Sequence, residues 1–191
     1  MNTQLLQLDR VEFLTVSVRA NDGDFQIDES FPQVANKSER LSVLTRSQLH
    51  FPEEQVGDPR IFVLVYGLKI ESDRQKEKSP TPYDIEVEVA GYFRYTGGDE
   101  FTGADRFRAI RLSGYQILYG AIREMVCNLT ARSRYGLWHL PARNFATVAK
   151  ERAEEDEATR QEMLGAQVVQ TPANQRGKRK KVAAKRSPKV S

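Results

Sequence analysis

Ile117-Leu118-Tyr119-Gly120-Ala121-Ile122-Arg123-Glu124-Met125-Val126-Cys127-Asn128-Leu129 is the stretch whose reading decides the fold. Its apolar residues come in pairs: Ile117 with Leu118, Ala121 with Ile122, Met125 with Val126, then Leu129. A repeat of about 3.6 residues is a helix. Paired positions at every turn make the stripe wider than a helix needs to lie on one sheet. The helix is therefore expected to cover its own sheet and also a second protein surface. Ile117, Ala121, Ile122, Met125 and Leu129 are the candidate oligomer interface.

Downstream the pattern stops at Gly136. Leu137-Trp138-His139-Leu140 reads as a short strand, ended by Pro141. Asn144 is placed to cap a second helix running from Phe145 to about Leu164. That helix is apolar only at Phe145, Val148 and Ala149. After Glu151 it is strongly charged and is expected to project into solvent.

Upstream, Arg60 to Ile70 is apolar on both faces and reads as a central strand. Tyr83 to Tyr95 alternates cleanly, with Ile85, Val87, Val89, Gly91 and Phe93 against Asp84, Glu86, Glu88, Tyr92 and Arg94. One face of it should meet a core and the other water. Val11 to Arg19 is a first strand whose phase slips after Phe13, where Leu14, Val16 and Val18 take over. A one-residue slip predicts a bulge. Leu41 to Phe51 reads as a short or broken strand, and Phe101 to Arg111 as a short helix or lid. The order β-β-β-α-β-α argues an α+β domain with an antiparallel sheet.

Charge divides the chain in two. The net of +3 hides eight Lys and Arg, and no acid, between Ala166 and Ser191, which leaves 21 basic against 26 acidic residues elsewhere. Residues 1–165 are read as the folded domain and 166–191 as a disordered basic tail. No run of ~18 apolar residues predicts a membrane span. The single cysteine, Cys127, suits a reducing cytoplasm.

Catalytic and metal signatures are missing from the sequence. His50 and His139 stand at no metal-ligand spacing from each other or from Cys127. No phosphate-cradling glycine motif and no nucleophile elbow occurs. Cys127 reads as a half-buried helix residue, with no histidine near it in sequence to activate it. Neither catalytic residue, metal nor cofactor is expected.

Several short motifs resemble one family. Leu118-Tyr119-Gly120-Ala121-Ile122-Arg123-Glu124-Met125-Val126, followed by Leu129-Thr130-Ala131-Arg132, is similar to the long helix of SecB-type chaperones, which carries an aromatic-x-x-x-Arg-Glu pattern. Leu140-Pro141 with Asn144-Phe145 resembles the Pro-x-Asn-Phe that leads into that family's last helix, with one residue more. Gly91-Tyr92-Phe93 resembles the end of its third strand. The likeness covers Val11 to Glu157.

The resemblance implies a four-stranded antiparallel sheet with a long helix and a C-terminal helix. It implies a tetramer built as a dimer of dimers, with the long helices sandwiched between sheets. It also implies a holdase that binds unfolded client protein without ATP. Phe51, Phe62, Tyr66, Phe107, Trp138 and Phe145 are the candidate client-binding residues. Export SecB docks on the motor SecA partly through acids on the outer sheet face. Glu86 falls where one such acid would be and Glu88 lies beside it, but Thr15 and Arg19 stand where the family has acids, which weighs against SecA. The long-helix motif is closer to the branch that protects an antitoxin in toxin–antitoxin–chaperone systems, so an antitoxin is the expected client; a general export chaperone is the alternative. Lys178, Arg179, Lys180 and Lys181 in the tail are expected to give weak, non-specific nucleic-acid contact at most, because no aromatics are interleaved for base stacking. A nucleic-acid-binding or scaffold protein that uses this tail is the competing reading.

Overall fold

The computed structural model describes residues 5–23, 25, 27–28, 33–34, 43–71 and 81–170. In chain order these form β1 (Leu6–Ala20), β2 (Ile27–Asp28), β3 (Gln33–Val34), β4 (Val43–His50), β5 (Ile61–Ile70), β6 (Tyr83–Tyr95), α1 (Gly103–Thr130) and α2 (Ala146–Gln170). The short β2 and β3 pair with each other. The other four strands make one antiparallel sheet in the order β1-β6-β5-β4. Two strands are therefore central, β5 and β6, and two are edges, β1 and β4.

The alternation of β6 does what its sequence says. Its odd-numbered residues, Tyr83 to Tyr95, are buried beneath α1, together with Phe62, Leu64, Tyr66, Leu68 and Ile70 of β5. The bulge in β1 is real: the register to β6 shifts between Phe13 and Thr15, at Leu14. A second shift, between Leu8 and Arg10, left no trace in the hydrophobic pattern. β4 is one unbroken strand paired with β5 from Val43 to His50, which settles the ambiguous Leu41–Phe51 segment.

Two glycines let α1 lie close on the sheet. A Cβ at Gly114 would stand 2.5 Å from Leu64 Cδ2, and one at Gly91 would stand 2.8 Å from Leu118 Cδ2. Both neighbours are fully buried and have nowhere to move.

Three expectations need correcting. Phe101 to Arg111 is not a separate lid. From Gly103 onward it forms the first turns of the 28-residue α1, because Phe107 and Ile110 continue the same buried stripe and no breaker follows Ala104 before Gly114. Leu137 to Leu140 is not a strand. Gly136 turns the chain with φ 77°, Leu137 makes a single isolated bridge, and the segment otherwise runs as a strap held by side-chain hydrogen bonds. Tyr83 Oη donates to Gly136 O (2.8 Å), Trp138 N donates to Thr130 Oγ1 (3.0 Å), and Arg123 Nε donates to Leu140 O (3.0 Å).

Nor does α2 leave the body after Glu151. It packs against α1 and the turn at Val56 and Gly57 as far as Arg160 and runs on to Gln170. Ala149 and Ala153 are buried and let the two backbones approach. Arg111 of α1 makes a bidentate pair with Asp156 of α2 (2.5 and 2.7 Å). Burial works against the Arg111 charge, but the Asp156 carboxylate more than offsets it, so the guanidinium pKa stays raised. One turn on, Arg160 donates to Val56 O and Gly57 O. Asn144 caps α2 as expected, its Oδ1 accepting from Ala146 N at 2.9 Å. Residues 171–191, which carry the tail cations Lys178, Arg179, Lys180 and Lys181, lie outside the described residues.

Candidate functional site

α2 lies on the β4 side of α1, and a groove of about 280 Å³ runs between β4 and the start of α2. Thr45, Arg46 and Ser47 form one wall. Arg143, Asn144, Thr147, Val148, Glu151 and Arg152 form the other. The floor is aromatic. Tyr66 of β5 and Tyr115 of α1 have ring centroids 5.5 Å apart, and Phe145 stands 6.0 Å from the first and 5.5 Å from the second. Tyr119 extends the cluster, 5.5 Å from Phe145, and donates its hydroxyl to Pro141 O.

Two phenols on this floor differ. Tyr115 Oη is engaged by Arg111 Nη1 (2.6 Å) and Ser47 Oγ (2.8 Å). Tyr66 Oη is buried with the Arg143 guanidinium as its polar neighbour, and no described group accepts its proton. Burial pushes the Tyr66 phenol up to about 12, against the nearby positive charge of Arg143. It stays neutral, and a donor, at every pH where the protein would work.

The six aromatics singled out from sequence separate into three places. Tyr66 and Phe145 meet in the groove. Phe51, Phe62 and Phe107 form a cluster of their own, with centroids 5.7 to 6.3 Å apart; Phe62 and Phe107 are fully buried and Phe51 half-buried. Trp138 is buried under the strap, 6.1 Å from Tyr83. Val148 and Arg143 were not singled out as groove residues. Tyr115 sits four residues before Tyr119, a helical spacing that points both to one face. Val148 and Arg143 carry no such signal.

The five residues of the α1 stripe also divide. Ile122 is wholly buried inside the subunit against the sheet, so it belongs to this chain's own core. Ala121 and Met125 are half-buried, and Ile117 and Leu129 are exposed. β1 carries a matching open patch. Leu8, Phe13 and Val16 oppose Phe93, Val89 and Val87 on the helix side of the sheet, yet they remain 36–40% exposed. Leu14, at the bulge, is 52% exposed.

On the outer face the acids stand opposite polar or basic residues of neighbouring strands, and Glu88 makes an ion pair. Arg46 lies over Gly67, where a Cβ would stand 2.8 Å from its Cγ, and reaches Glu88 at 2.9 Å. Glu86 lies between Ser17 and Lys69, and Asp84 opposite Arg19. Thr15 faces Glu88.

Cys127 is nearer to a histidine than its sequence position suggests. The strap brings His139 Nδ1 to 3.1 Å from Sγ, and Sγ also lies 3.6 Å from Trp138 O. Burial pushes the thiol pKa up, with Arg123 pulling the other way, so it is a thiol at neutral pH. Among the described residues no three His, Cys, Asp or Glu side chains cluster as metal ligands. No described helix is long and apolar enough to cross a membrane.

This arrangement defines a class by fold: an α+β protein whose four-stranded antiparallel sheet carries two antiparallel-packed helices on one face and, among the described residues, has β1 and β4 as its edges. No family model and no curated protein matches the chain. Among solved structures it is similar to a SecB-like chaperone of Mycobacterium tuberculosis in complex with a peptide from an antitoxin, at 17% identity and a TM-score of 0.46 over 73% of this chain and 91% of that one. It is also similar to a protein of unknown function from Streptococcus agalactiae, at 11% identity and a TM-score of 0.39 over 72% of this chain and 97% of that one.

Proposed function

We propose that this protein is an ATP-independent chaperone of the cytoplasm that holds an unstable client segment in the groove between β4 and α2. The observation that carries the reading is the groove itself: an aromatic floor beside an edge strand whose only strand neighbour among the described residues is β5. An extended client can add its backbone to such an edge while alternate side chains enter the floor. Apolar burial contributes about 25 cal/mol per Å². Backbone pairing does not depend on sequence, so the same groove accepts many clients. The SecB-like motifs of α1 and of the segment leading into α2 point to the same activity, and within that family to the branch that guards an antitoxin.

The chain works as a homo-oligomer, with a tetramer as the expected state. Leu8, Phe13, Leu14 and Val16 with Ile117 and Leu129 are large apolar side chains left exposed on the single chain, and grouped exposed apolar residues mark interaction surfaces. Docking on SecA is not part of the proposal, because Glu88 is neutralised by Arg46 and the first strand carries Arg19 and Thr15 at its outward positions.

The test is a holding assay. A denatured model protein is diluted with and without the full-length chain, in the absence of nucleotide, and light scattering is followed. Suppression near one client per oligomer is expected. Unchanged scattering at a several-fold excess of the folded chain would sink the proposal.

A further inference from the structure

We propose that the groove recognises an acidic side chain in its client, with the carboxylate seated between Tyr66 Oη and the Arg143 guanidinium at the start of α2. This rests on the client-groove reading above and adds a chemical preference to it. The first observation is the orphaned phenol. Tyr66 is 4% exposed, its hydroxyl has Arg143 beside it but no acceptor for its proton, and it floors the groove. A buried donor without an acceptor costs free energy that a bound acceptor would recover.

The second observation is charge. Of the arginines lining the groove, Arg46 is held by Glu88 (2.9 Å) and Arg152 by Glu155 (2.6 Å). Arg143 has no such ion pair among the described residues and lies close enough to Tyr66 to affect its titration. Glu151, one turn further along α2, is the acid on this wall. The third is the helix end. Asn144 caps Ala146, and Thr147 and Val148 of the first turn of α2 line the groove at the positive end of the helix dipole. A phenol donor, a guanidinium and a helix N-terminus converge on one kind of ligand atom, an anionic oxygen. The rings of Phe145 and Tyr115 next to them favour an apolar or aromatic client residue beside the acid.

Fluorescence anisotropy with the full-length chain tests this. The probes are two labelled extended peptides that differ only in a central Glu or Gln between aromatic residues. The Glu peptide should bind about 10-fold tighter, the worth of a charge-assisted hydrogen bond. Arg143→Gln should remove that difference and leave the Gln peptide's affinity unchanged. Tyr66→Phe keeps the ring, and should reduce the difference several-fold while leaving the protein as stable as before or more so. Equal affinities in the unaltered chain overturn the carboxylate anchor and leave the client groove standing. A Glu preference that survives Arg143→Gln assigns the attraction to the basic tail, and overturns it as well. If neither peptide binds, the groove is not a client site and both readings fall together.

Discussion

The two edges of one sheet have been treated in opposite ways. β1 is 15 residues long, bulged, and lined on its helix side by apolar residues that α1 leaves half open. β4 is eight residues long, mixed in character, and flanked by α2 across an aromatic groove. A long flat apolar edge invites another strand or another copy of the chain. The bulges at β1 twist that edge and fix its register, and so narrow the choice of partner. The β4 edge is guarded instead of filled: α2 stands beside it, held off by side chains rather than packed onto it. One edge suits a permanent partner of fixed shape, and the other suits transient partners of many shapes.

Removing the support of the guarded edge should have the largest effect. Asp156→Ala leaves the Arg111 guanidinium buried without its carboxylate, and 3–5 kcal/mol is the usual loss for such a broken pair, so a fall of roughly that size is expected in denaturant unfolding. Client binding should go with it, since α2 forms one wall. A loss well under 1 kcal/mol would mean that α2 is held by its alanines alone.

The next effect falls on the other edge. Phe13→Asp combined with Ile117→Asp places two charges in the open apolar surface while sparing the buried Ile122. Multi-angle light scattering should then report a folded species near the 21.8 kDa of a single chain. Assembly that survives both changes would move the self-association surface elsewhere. Val148→Asp should do the converse. It alters an exposed wall of the groove, so holding of a denatured client should drop several-fold with the oligomer mass unchanged. If mass and holding fell together, the two edges would be coupled rather than separate.

The smallest effect is expected of the tail. Truncation after Gln170 should leave stability, mass and holding as they were. It should abolish a weak binding to unrelated DNA duplexes that, in the full chain, fades between low and near-physiological salt, as counterion release requires. Loss of holding on truncation would place client contacts in the tail.

Much of the fold was legible in the sequence. Clean alternation identified β6 to its end residues, and the phase slip at Leu14 located a bulge. Asn144 marked the start of α2. The site was less legible. Aromatic content alone did not separate Tyr66 and Phe145 from Phe62, Phe107 and Trp138, because an aromatic in a groove floor and one in a core have the same local pattern. The width of the α1 stripe was read as an interface, and it covers two situations: Ile122 faces this chain's sheet while Ile117 and Leu129 stay open.

What the sequence determined by itself is what depends on near neighbours: strand and helix periodicity, the bulge, the cap, and the division between an acidic body and a basic tail. What only the tertiary structure decided is what depends on distant ones. The charged run after Glu151 looks solvated in isolation. Its Asp156 is a buried partner because Arg111 lies 45 positions earlier in the chain and meets it across α1. Tyr66 looks like any inward residue of a central strand. It became a free donor in a groove because α2 is held beside β4 and not on top of it, and that spacing is set by side chains far apart in the sequence.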